Sequence, residues 1–192
     1  MGLRGVLVVA ALVSAVGWWV VPGAAPRGPG PVVSAADRTA PDTAPGPVLS
    51  GRARVIDGDT LKIGRWRIRL HAIDAPERGQ SCIHDARRID CGALSAAMLG
   101  RLIGGADLAC AVRTTDRYRR LVAVCRRDGR DIARLMVRGG WARAYLRYGD
   151  DYAADEAHAR RNRLGLWAGG EGLPAPWVWR RRQAAIAAPD RS

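Results

Sequence analysis

The sequence contains a single lysine, Lys62, although it is strongly basic. Of its 31 basic residues 30 are arginine, and the formal net charge of the 192-residue chain is +13. Such an excess of positive charge favours a polyanionic partner, with nucleic acid ahead of an anionic membrane surface. Another interpretation assigns the charge to solubility alone. The length allows one domain with extensions at its ends.

Charged residues are absent between Arg4 and Arg27, and most of this interval is apolar. An apolar run behind one basic residue is typical of a secretory signal peptide. The run also approaches the roughly 20 residues that a bilayer-spanning helix needs. Residues 1–25 are therefore predicted to be a signal peptide or an uncleaved N-terminal membrane anchor. Either alternative places the folded domain outside the cytoplasm, as a secreted, periplasmic or membrane-tethered protein.

Proline is concentrated ahead of the folded domain, since seven of the eleven prolines lie between Pro22 and Pro47. Such a segment cannot bury enough apolar surface to offset its chain entropy, so residues 26–47 are predicted to form a disordered linker. The folded domain is predicted at residues 48–168. Residues 169–192 are again rich in glycine and proline and include three consecutive arginines, which predicts a basic, mostly disordered tail.

The four cysteines include no Cys-x-x-Cys pair, which makes a Cys/His metal site a weak alternative. Four cysteines in an exported chain favour two disulfides instead, and three pairings are possible. Cys110 and Cys125 are equidistant from a predicted hairpin tip at residues 117–118, so they are expected to face each other across two strands. Cys82 and Cys91 would then close the loop that follows Glu77.

Alternation of apolar and polar residues predicts five short strands, at residues 52–57, 60–63, 66–73, 108–114 and 121–127. Apolar stripes predict three helices, at residues 92–103, 131–138 and 152–163. Residues 78–90, between the third strand and the first helix, are predicted to form a polar loop. Five strands with a helix after the third are compatible with a small barrel closed by helices.

Three carboxylates and an arginine lie in two neighbouring stretches. Residues 55–60 read Val-Ile-Asp-Gly-Asp-Thr, and residues 69–77 read Arg-Leu-His-Ala-Ile-Asp-Ala-Pro-Glu. The Asp-Gly pair favours a tight turn, and the proline stops the third strand. Asp59 is thus expected at a turn, and Asp74 and Glu77 at a strand end. Carboxylates so placed suit a divalent cation or a general base, whereas the alternative is a solvated acidic loop.

A third stretch, residues 115–120, reads Thr-Asp-Arg-Tyr-Arg-Arg at the predicted hairpin tip. The ordered set Val-Ile-Asp-Gly-Asp-Thr, Arg-Leu-x-x-Ile-Asp-x-Pro-Glu and Thr-Asp-x-Tyr-x-Arg resembles the staphylococcal nuclease family, from about Arg54 to Trp167. The resemblance implies an α+β fold, namely a five-stranded OB-fold β-barrel with three α-helices. It also implies a Ca²⁺-dependent endonuclease that hydrolyses DNA and RNA and leaves 3′-phosphates. We expect the chain to be monomeric.

The resemblance also implies a set of metal ligands. Ca²⁺ is expected to bind the carboxylates of Asp59 and Asp74, the backbone carbonyl of Ala75 and, through a water molecule, Thr60. Carboxylate and carbonyl oxygens suit such a hard cation. Asp57 is expected to support the metal from outside its ligand shell, or only to form the turn.

Further positions match the family's catalytic and phosphate-binding residues. Glu77 matches the general base that orients or deprotonates the attacking water. Arg69 and Arg120 match two phosphate-binding arginines, whose planar guanidinium groups can each grip two phosphate oxygens. Tyr118 matches a tyrosine that hydrogen-bonds the terminal phosphate. Arg119 stands where the family usually has glycine, which puts the geometry of the hairpin tip in question.

Two tyrosines follow the second predicted helix, where the family keeps base-stacking tyrosines. Tyr145 and Tyr148 are expected either to stack on bases or to pack against the domain.

The rival interpretation is a non-catalytic nucleic-acid-binding OB-fold module, because members of this fold that lose the acids and arginines still bind. Retention of Asp59, Asp74, Glu77, Arg69 and Arg120 favours an enzyme. A membrane-tethered basic adaptor would leave the ordered acids unexplained.

Overall fold

The computed structural model describes residues 46–84, 86–169 and 175–187. The predicted signal peptide or anchor, nearly all of the predicted linker and the ends of the predicted tail lie outside these ranges. Within them, no helix is both long enough and apolar enough to cross a membrane.

The described residues form short strands and four helices. The strands are β1 (Val48–Val55), β2 (Thr60–Ile63), β3 (Trp66–Leu70), β4 (Ile73–Asp74), β5 (Ser81–His84), β6 (Arg87–Asp90), β7 (Asp107–Thr115), β8 (Leu121–Arg127), β9 (Arg130–Asp131) and β10 (Arg143–Ala144). The helices are α1 (Cys91–Ile103), α2 (Ile132–Arg138), α3 (Ala153–Arg161) and α4 (Pro176–Ala187), and a 3-10 turn spans Gly165–Trp167.

Five strands close into a barrel in the order β3-β2-β1-β7-β8, with antiparallel pairing between neighbours. Parallel pairing of β3 with β8, from Ile68 opposite Leu121 to Leu70 opposite Ala123, completes the circle. The alternation that predicted β3 is a burial pattern, because Ile68 and Leu70 are buried while Arg67 and Arg69 point away. The predicted five-stranded OB-fold barrel in an α+β domain is confirmed.

Helices α1 and α2 close the barrel with apolar side chains. Leu99 and Ile103 of α1 and Met136 of α2 are buried in the same core as the barrel residues Leu61 and Leu108. Each helix begins at an aspartate whose carboxylate accepts a hydrogen bond from a first-turn backbone N–H, which satisfies an otherwise unpaired donor. Burial of the apolar side chains therefore sets which face of each helix packs on the barrel, and the aspartate caps set where each helix begins.

The third strand ends earlier than the sequence predicts. Ala72 has a φ of 52°, in the left-handed region, and this breaks the strand after Leu70. The chain then pairs elsewhere, with Asp74 opposite Arg143 and Ile73 opposite Ala144 in the short β4–β10 ladder. The break matters because it turns Asp74 inward, where its side chain is completely buried.

The predicted polar loop over residues 78–90 is in fact a hairpin, with β5 paired to β6. Its alternation is masked by polar side chains on both faces, so periodicity alone did not reveal it. Cys82–Cys91 ties this hairpin to the start of α1, and Cys110–Cys125 joins the facing positions of β7 and β8. Both predicted disulfides are confirmed, and they indicate an oxidising, extracytoplasmic compartment.

The described part of the chain contains four α-helices where the sequence predicts three. The additional helix, α4, lies inside the segment predicted to be a mostly disordered tail. Pro176 suits its first turn, where a missing N–H costs nothing. The Trp177 ring stacks on Tyr145, and the Arg180 guanidinium pairs with Asp74, so side-chain contacts over a long sequence separation hold a helix that its composition does not predict.

Removing the bridge between β7 and β8 should destabilise the barrel. In Cys110→Ala/Cys125→Ala, the free energy of unfolding is expected to fall by about 3 kcal/mol, since the bridge spans a sequence separation of 15 and restricts the unfolded chain. Urea unfolding followed by tryptophan fluorescence measures this. Cys82→Ala/Cys91→Ala, with a separation of 9, should lose slightly less. Equal unfolding curves for the native and both variant proteins would contradict the expectation.

Candidate active site

The turn between β1 and β2 carries a buried carboxylate at one end of the barrel. Asp59 is only 4% exposed, and its Oδ2 accepts a hydrogen bond of 2.9 Å from the backbone N–H of Ala75. Its Oδ1 accepts one of 3.0 Å from the Thr60 hydroxyl. Gly58 makes this turn possible by close packing, because a Cβ there would lie 2.1 Å from the Ser95 hydroxyl oxygen. The predicted turn is present.

A second buried carboxylate faces the first. Asp74, on β4, is 0% exposed. Nη2 of Arg69 lies 2.5 Å from Asp74 Oδ1 and 3.1 Å from Asp59 Oδ2, so one guanidinium nitrogen bridges both acids. Burying charged groups is costly unless they are paired and hydrogen-bonded, and this bridge supplies the pairing.

Burial has the largest effect on the pKa of Asp59. Loss of solvation raises the pKa of Asp59 to about 7, even though the positive charge of Arg69 acts in the opposite direction. The nearby carboxylates of Asp57 and Asp74 raise it further. Burial acts to lower the pKa of Arg69, but the negative charges of Asp59 and Asp74 outweigh it and hold that pKa above its ordinary value. Additional positive charge beside Asp59 would therefore favour its ionised form.

The third acid lies at the edge of this site. The Glu77 side chain is 30% exposed, and the Arg180 guanidinium on α4 pairs with its Oε1. Arg180 also donates to both carboxylate oxygens of Asp74, over 3.0 and 2.8 Å. The sequence does not predict this contact, because a run of arginines in a tail has no feature that indicates which residues it will pair with.

The hairpin tip between β7 and β8 presents a tyrosine and an arginine. Tyr118 is 63% exposed, and the guanidinium carbon of Arg120 lies 5.4 Å from the centre of its ring. Arg120 Nε and Nη2 both lie 2.8 Å from Asp116 Oδ2. Partial burial raises the pKa of Asp116, but hydrogen bonds from the Arg120 backbone and guanidinium outweigh this and leave the pKa lowered. Arg119 takes the left-handed φ of 61° that a glycine would favour.

Three aromatic rings flank the same end of the barrel: those of Tyr145, Tyr148 and Trp177. Tyr145 stacks on Trp177 with 5.4 Å between ring centroids, and meets Tyr148 edge-on at 5.1 Å. Tyr148 is exposed. Tyr145 thus packs within the described structure, whereas Tyr148 presents its ring to solvent.

A groove of about 920 Å³ joins these groups. Its lining contains all of the predicted catalytic and substrate-binding side chains, together with Asp57: Arg69, Glu77, Tyr118, Arg120, Tyr145 and Tyr148. The predicted metal-binding residues are buried rather than lining it: Asp59, Thr60, Asp74 and Ala75. The structure therefore collects the predicted residues at one mouth of the barrel, with the acids deepest.

The donor set fits a divalent cation in part. Within the described residues, no cluster of three or more acidic, histidine or cysteine side chains is arranged to hold a metal. Asp59 and Asp74 nevertheless present two buried carboxylates, and the Arg69 nitrogen between them marks a position that favours positive charge. Hard cations accept such oxygen donors together with water.

Two supporting residues escaped the sequence argument. Glu156 of α3 accepts a 2.8 Å hydrogen bond from the Ala144 N–H and pairs with Arg143 at 3.1 Å, which fixes the strand that pairs with Asp74. Gly92 of α1 lies so close to the Glu77 backbone that a Cβ would fall 2.0 Å from its carbonyl oxygen. Neither residue belongs to a sequence motif, because each acts on a distant segment, Glu156 through polar contacts and Gly92 through close packing.

The fold and the site together define the class of protein. It is an OB-fold barrel that carries buried carboxylates, arginines and tyrosines at one end. The model of the family described as staphylococcal nuclease homologue matches residues 67–169, more than half of the chain. The chain belongs to the staphylococcal nuclease family.

Several relatives are similar over most of the folded domain. Micrococcal nuclease of Shigella flexneri is 33% identical over 145 residues, which cover 67% of this chain and 78% of that protein. Succinoglycan biosynthesis protein ExoI of Rhizobium meliloti (strain 1021) is 37% identical over 126 residues, covering 62% of this chain and 64% of that protein. Staphylococcal-like nuclease CAN1 of Arabidopsis thaliana is 31% identical, but the match spans only 34% of its length.

A methyl group at Gly92 should displace the segment that carries Glu77. Gly92→Ala is expected to lower the free energy of unfolding by about 1–3 kcal/mol, because the backbone must shift to admit the Cβ. Gly100→Ala is the matched control in the same helix, since the nearest atom to its Cβ would be 4.0 Å away. The control should gain about 0.5–1 kcal/mol from helix propensity. Urea denaturation compares the two, and a gain in both variants would refute the close-contact argument.

Proposed function

We propose that this protein is a nuclease that hydrolyses phosphodiester bonds in DNA and RNA with the help of Ca²⁺. The observation that carries the proposal is the constellation at the barrel mouth. Two buried carboxylates share one arginine nitrogen, while Glu77, Tyr118 and Arg120 line the groove above them. Membership of the staphylococcal nuclease family adds support.

Asp59 and Asp74 are the residues proposed to hold the cation, with the carbonyl of Ala75 and, through water, Thr60. Bound there, Ca²⁺ would supply positive charge against the negative charge that develops on the phosphate. The hydrogen bonds to Asp59 from Thr60 and from the Ala75 N–H hold its two oxygens in fixed directions. That orientation limits the reorganisation that cation binding requires.

Glu77 is proposed as the general base. Its carboxylate lies at the groove edge and is partly exposed, so a water molecule can reach it. A base must lie within hydrogen-bond reach of the proton that it takes, and the groove is the space in which a phosphodiester and water would meet. Held at the strand end beyond Asp74, Glu77 would orient or deprotonate that water.

Arg69 and Arg120 are proposed to bind the phosphate. The contacts of Arg69 to Asp59, Asp74 and the Ile73 carbonyl all run through Nη2, so other donors of its guanidinium are left for phosphate oxygens. Arg120 is oriented by Asp116 through Nε and Nη2, which leaves Nη1 for the same task. Guanidinium groups stabilise charge that accumulates in the transition state.

The groove suits a nucleic acid without base selection. Arginines along its lining supply phosphate contacts: Arg67, Arg113, Arg117 and Arg147. Tyr118 is proposed to hydrogen-bond a terminal phosphate. Tyr148, and Tyr145 when the Trp177 ring is not stacked on it, are proposed to stack on bases, which tolerates any sequence. Contacts of this kind distinguish neither bases nor sugars strongly, so both DNA and RNA are expected as substrates. The proposed 3′-phosphate products are what the family resemblance implies.

We also propose that the protein acts outside the cytoplasm and is a monomer. Its two disulfides fit an oxidising compartment, and the apolar N-terminal run of the sequence would direct export or tether the domain to a membrane.

The test separates the nuclease from a module that only binds nucleic acid. The full-length, disulfide-bonded protein is assayed on plasmid and single-stranded DNA and on RNA, with Ca²⁺ and with a chelator. Cleavage is expected only with Ca²⁺. Glu77→Gln should lower kcat by about 10²–10⁴-fold while nucleic-acid binding is retained, because it removes only the base.

Asp128→Asn is the matched control, since its carboxylate is 80% exposed and lies outside the groove lining. The control should cleave like the native protein. Tight binding without cleavage under Ca²⁺, Mg²⁺ or Mn²⁺ would leave the binding module as the better description.

A further inference from the structure

Helix α4 places a positive charge directly on the acids of the site. Arg180 Nη1 and Nη2 donate to Asp74 Oδ1 and Oδ2 over 3.0 and 2.8 Å, and Nη1 also pairs with Glu77 Oε1. The residues are separated by 106 and 103 positions in the sequence. Both oxygens of one proposed metal ligand and one oxygen of the proposed base are thereby engaged.

The charge balance explains why the guanidinium goes there. Among the residues that the structure describes, Asp59 and Asp74 both pair with the Arg69 guanidinium of the barrel, whereas Glu77 pairs with Arg180. Buried carboxylates without compensating positive charge are strongly unfavourable. Arg180 supplies part of the missing charge. A divalent cation beside Asp59 and Asp74 would supply the same compensation, and it would need the Asp74 oxygens that Arg180 uses.

The helix itself is attached lightly. Among the described residues of α4 only Pro176 is buried, and the side chain of Arg180 remains 37% exposed. Apart from Arg180, the helix is held by Trp177, which stacks on Tyr145 and lies 5.1 Å from the Arg143 guanidinium carbon. Elements with few buried apolar contacts open at low cost in free energy.

We propose that α4 is a releasable strap, and that its Arg180 guanidinium and a divalent cation compete for the same carboxylates. In the docked form, the strap covers a metal ligand, the general base and the Tyr145 ring together. Cation binding displaces Arg180 from Asp74, which frees Glu77 Oε1 and weakens the hold of Trp177. The identity of the cation rests on the proposed function, but the competition itself does not require catalysis.

Competition has a simple quantitative consequence. A ligand that binds only the open form has an apparent Kd equal to its intrinsic Kd divided by the fraction of molecules that are open. If α4 is docked about nine-tenths of the time, the apparent Kd for Ca²⁺ is weakened about tenfold. A variant in which α4 no longer docks should therefore bind Ca²⁺ about tenfold more tightly.

Hydrogen exchange of the full-length chain tests the release directly. Peptides covering residues 175–187 are followed by mass spectrometry with and without saturating Ca²⁺. We expect Ca²⁺ to accelerate exchange in α4 of the native protein. In Arg180→Gln, exchange should already be fast and should not respond to Ca²⁺. Arg182→Gln is the matched control, because it removes the same charge from an exposed position of the same helix and should behave like the native protein.

Calorimetric titration with Ca²⁺ gives the second readout. Arg180→Gln should bind Ca²⁺ about tenfold more tightly than Arg182→Gln, whereas a general electrostatic effect would change both alike. Trp177→Ala keeps the guanidinium but removes the ring stack, so it should also tighten Ca²⁺ binding and guards against a folding defect in one variant. Equal Kd values in these variants, or α4 exchange that ignores saturating Ca²⁺, would overturn the strap.

The two proposals fail separately. Calcium-dependent release of α4 without any cleavage of nucleic acid would refute the nuclease and support the strap. Cleavage with exchange in α4 unchanged by Ca²⁺ would do the reverse.

Discussion

Two carboxylates buried under one guanidinium nitrogen are the constraint on which the rest of the barrel mouth depends. Asp59 and Asp74 cannot be removed from water without compensating charge, and Arg69 supplies it through Nη2. The surrounding structure keeps the three groups in register. The β4–β10 ladder fixes Asp74, and Glu156 fixes that ladder by accepting from the Ala144 N–H. Fold and site are therefore one arrangement, in which packing holds acids where their mutual repulsion would separate them.

Sequence periodicity is enough to predict the strands of the barrel. It does not predict the turn at Ala72, which places Asp74 in the site. Alternation reports which face of a strand is buried, and it located β2 and β8 to the residue. It continued through Ala72, because nothing in the side-chain pattern records a left-handed φ. Yet that residue ends β3 and redirects Asp74. The hairpin formed by β5 and β6 was missed for a related reason, since its polar residues on both faces leave no period to detect.

Motif spacing locates the acids and arginines, but it does not locate Glu156 and Gly92, which support them from other elements. Resemblance to a family selects side chains that perform chemistry, so Asp59, Asp74 and Glu77 were found together. Gly92 supports Glu77 only by lacking a side chain, and no single sequence distinguishes that from an ordinary helix glycine. The substitution of Arg119 for glycine was visible, and the structure gives its consequence. The tip keeps a left-handed residue and accepts the strain of a side chain there.

The abundance of arginine determines which groups neutralise the buried carboxylates of the site. A guanidinium that suits phosphate also suits carboxylate, because both present two oxygens in a plane. A basic chain with acids at its centre therefore satisfies those acids internally, as Arg69 and Arg180 do for Asp74. Any incoming cation must displace a guanidinium rather than water alone. Arg69 is held on the barrel, whereas Arg180 is carried by a lightly attached helix, so the helix is the partner that yields.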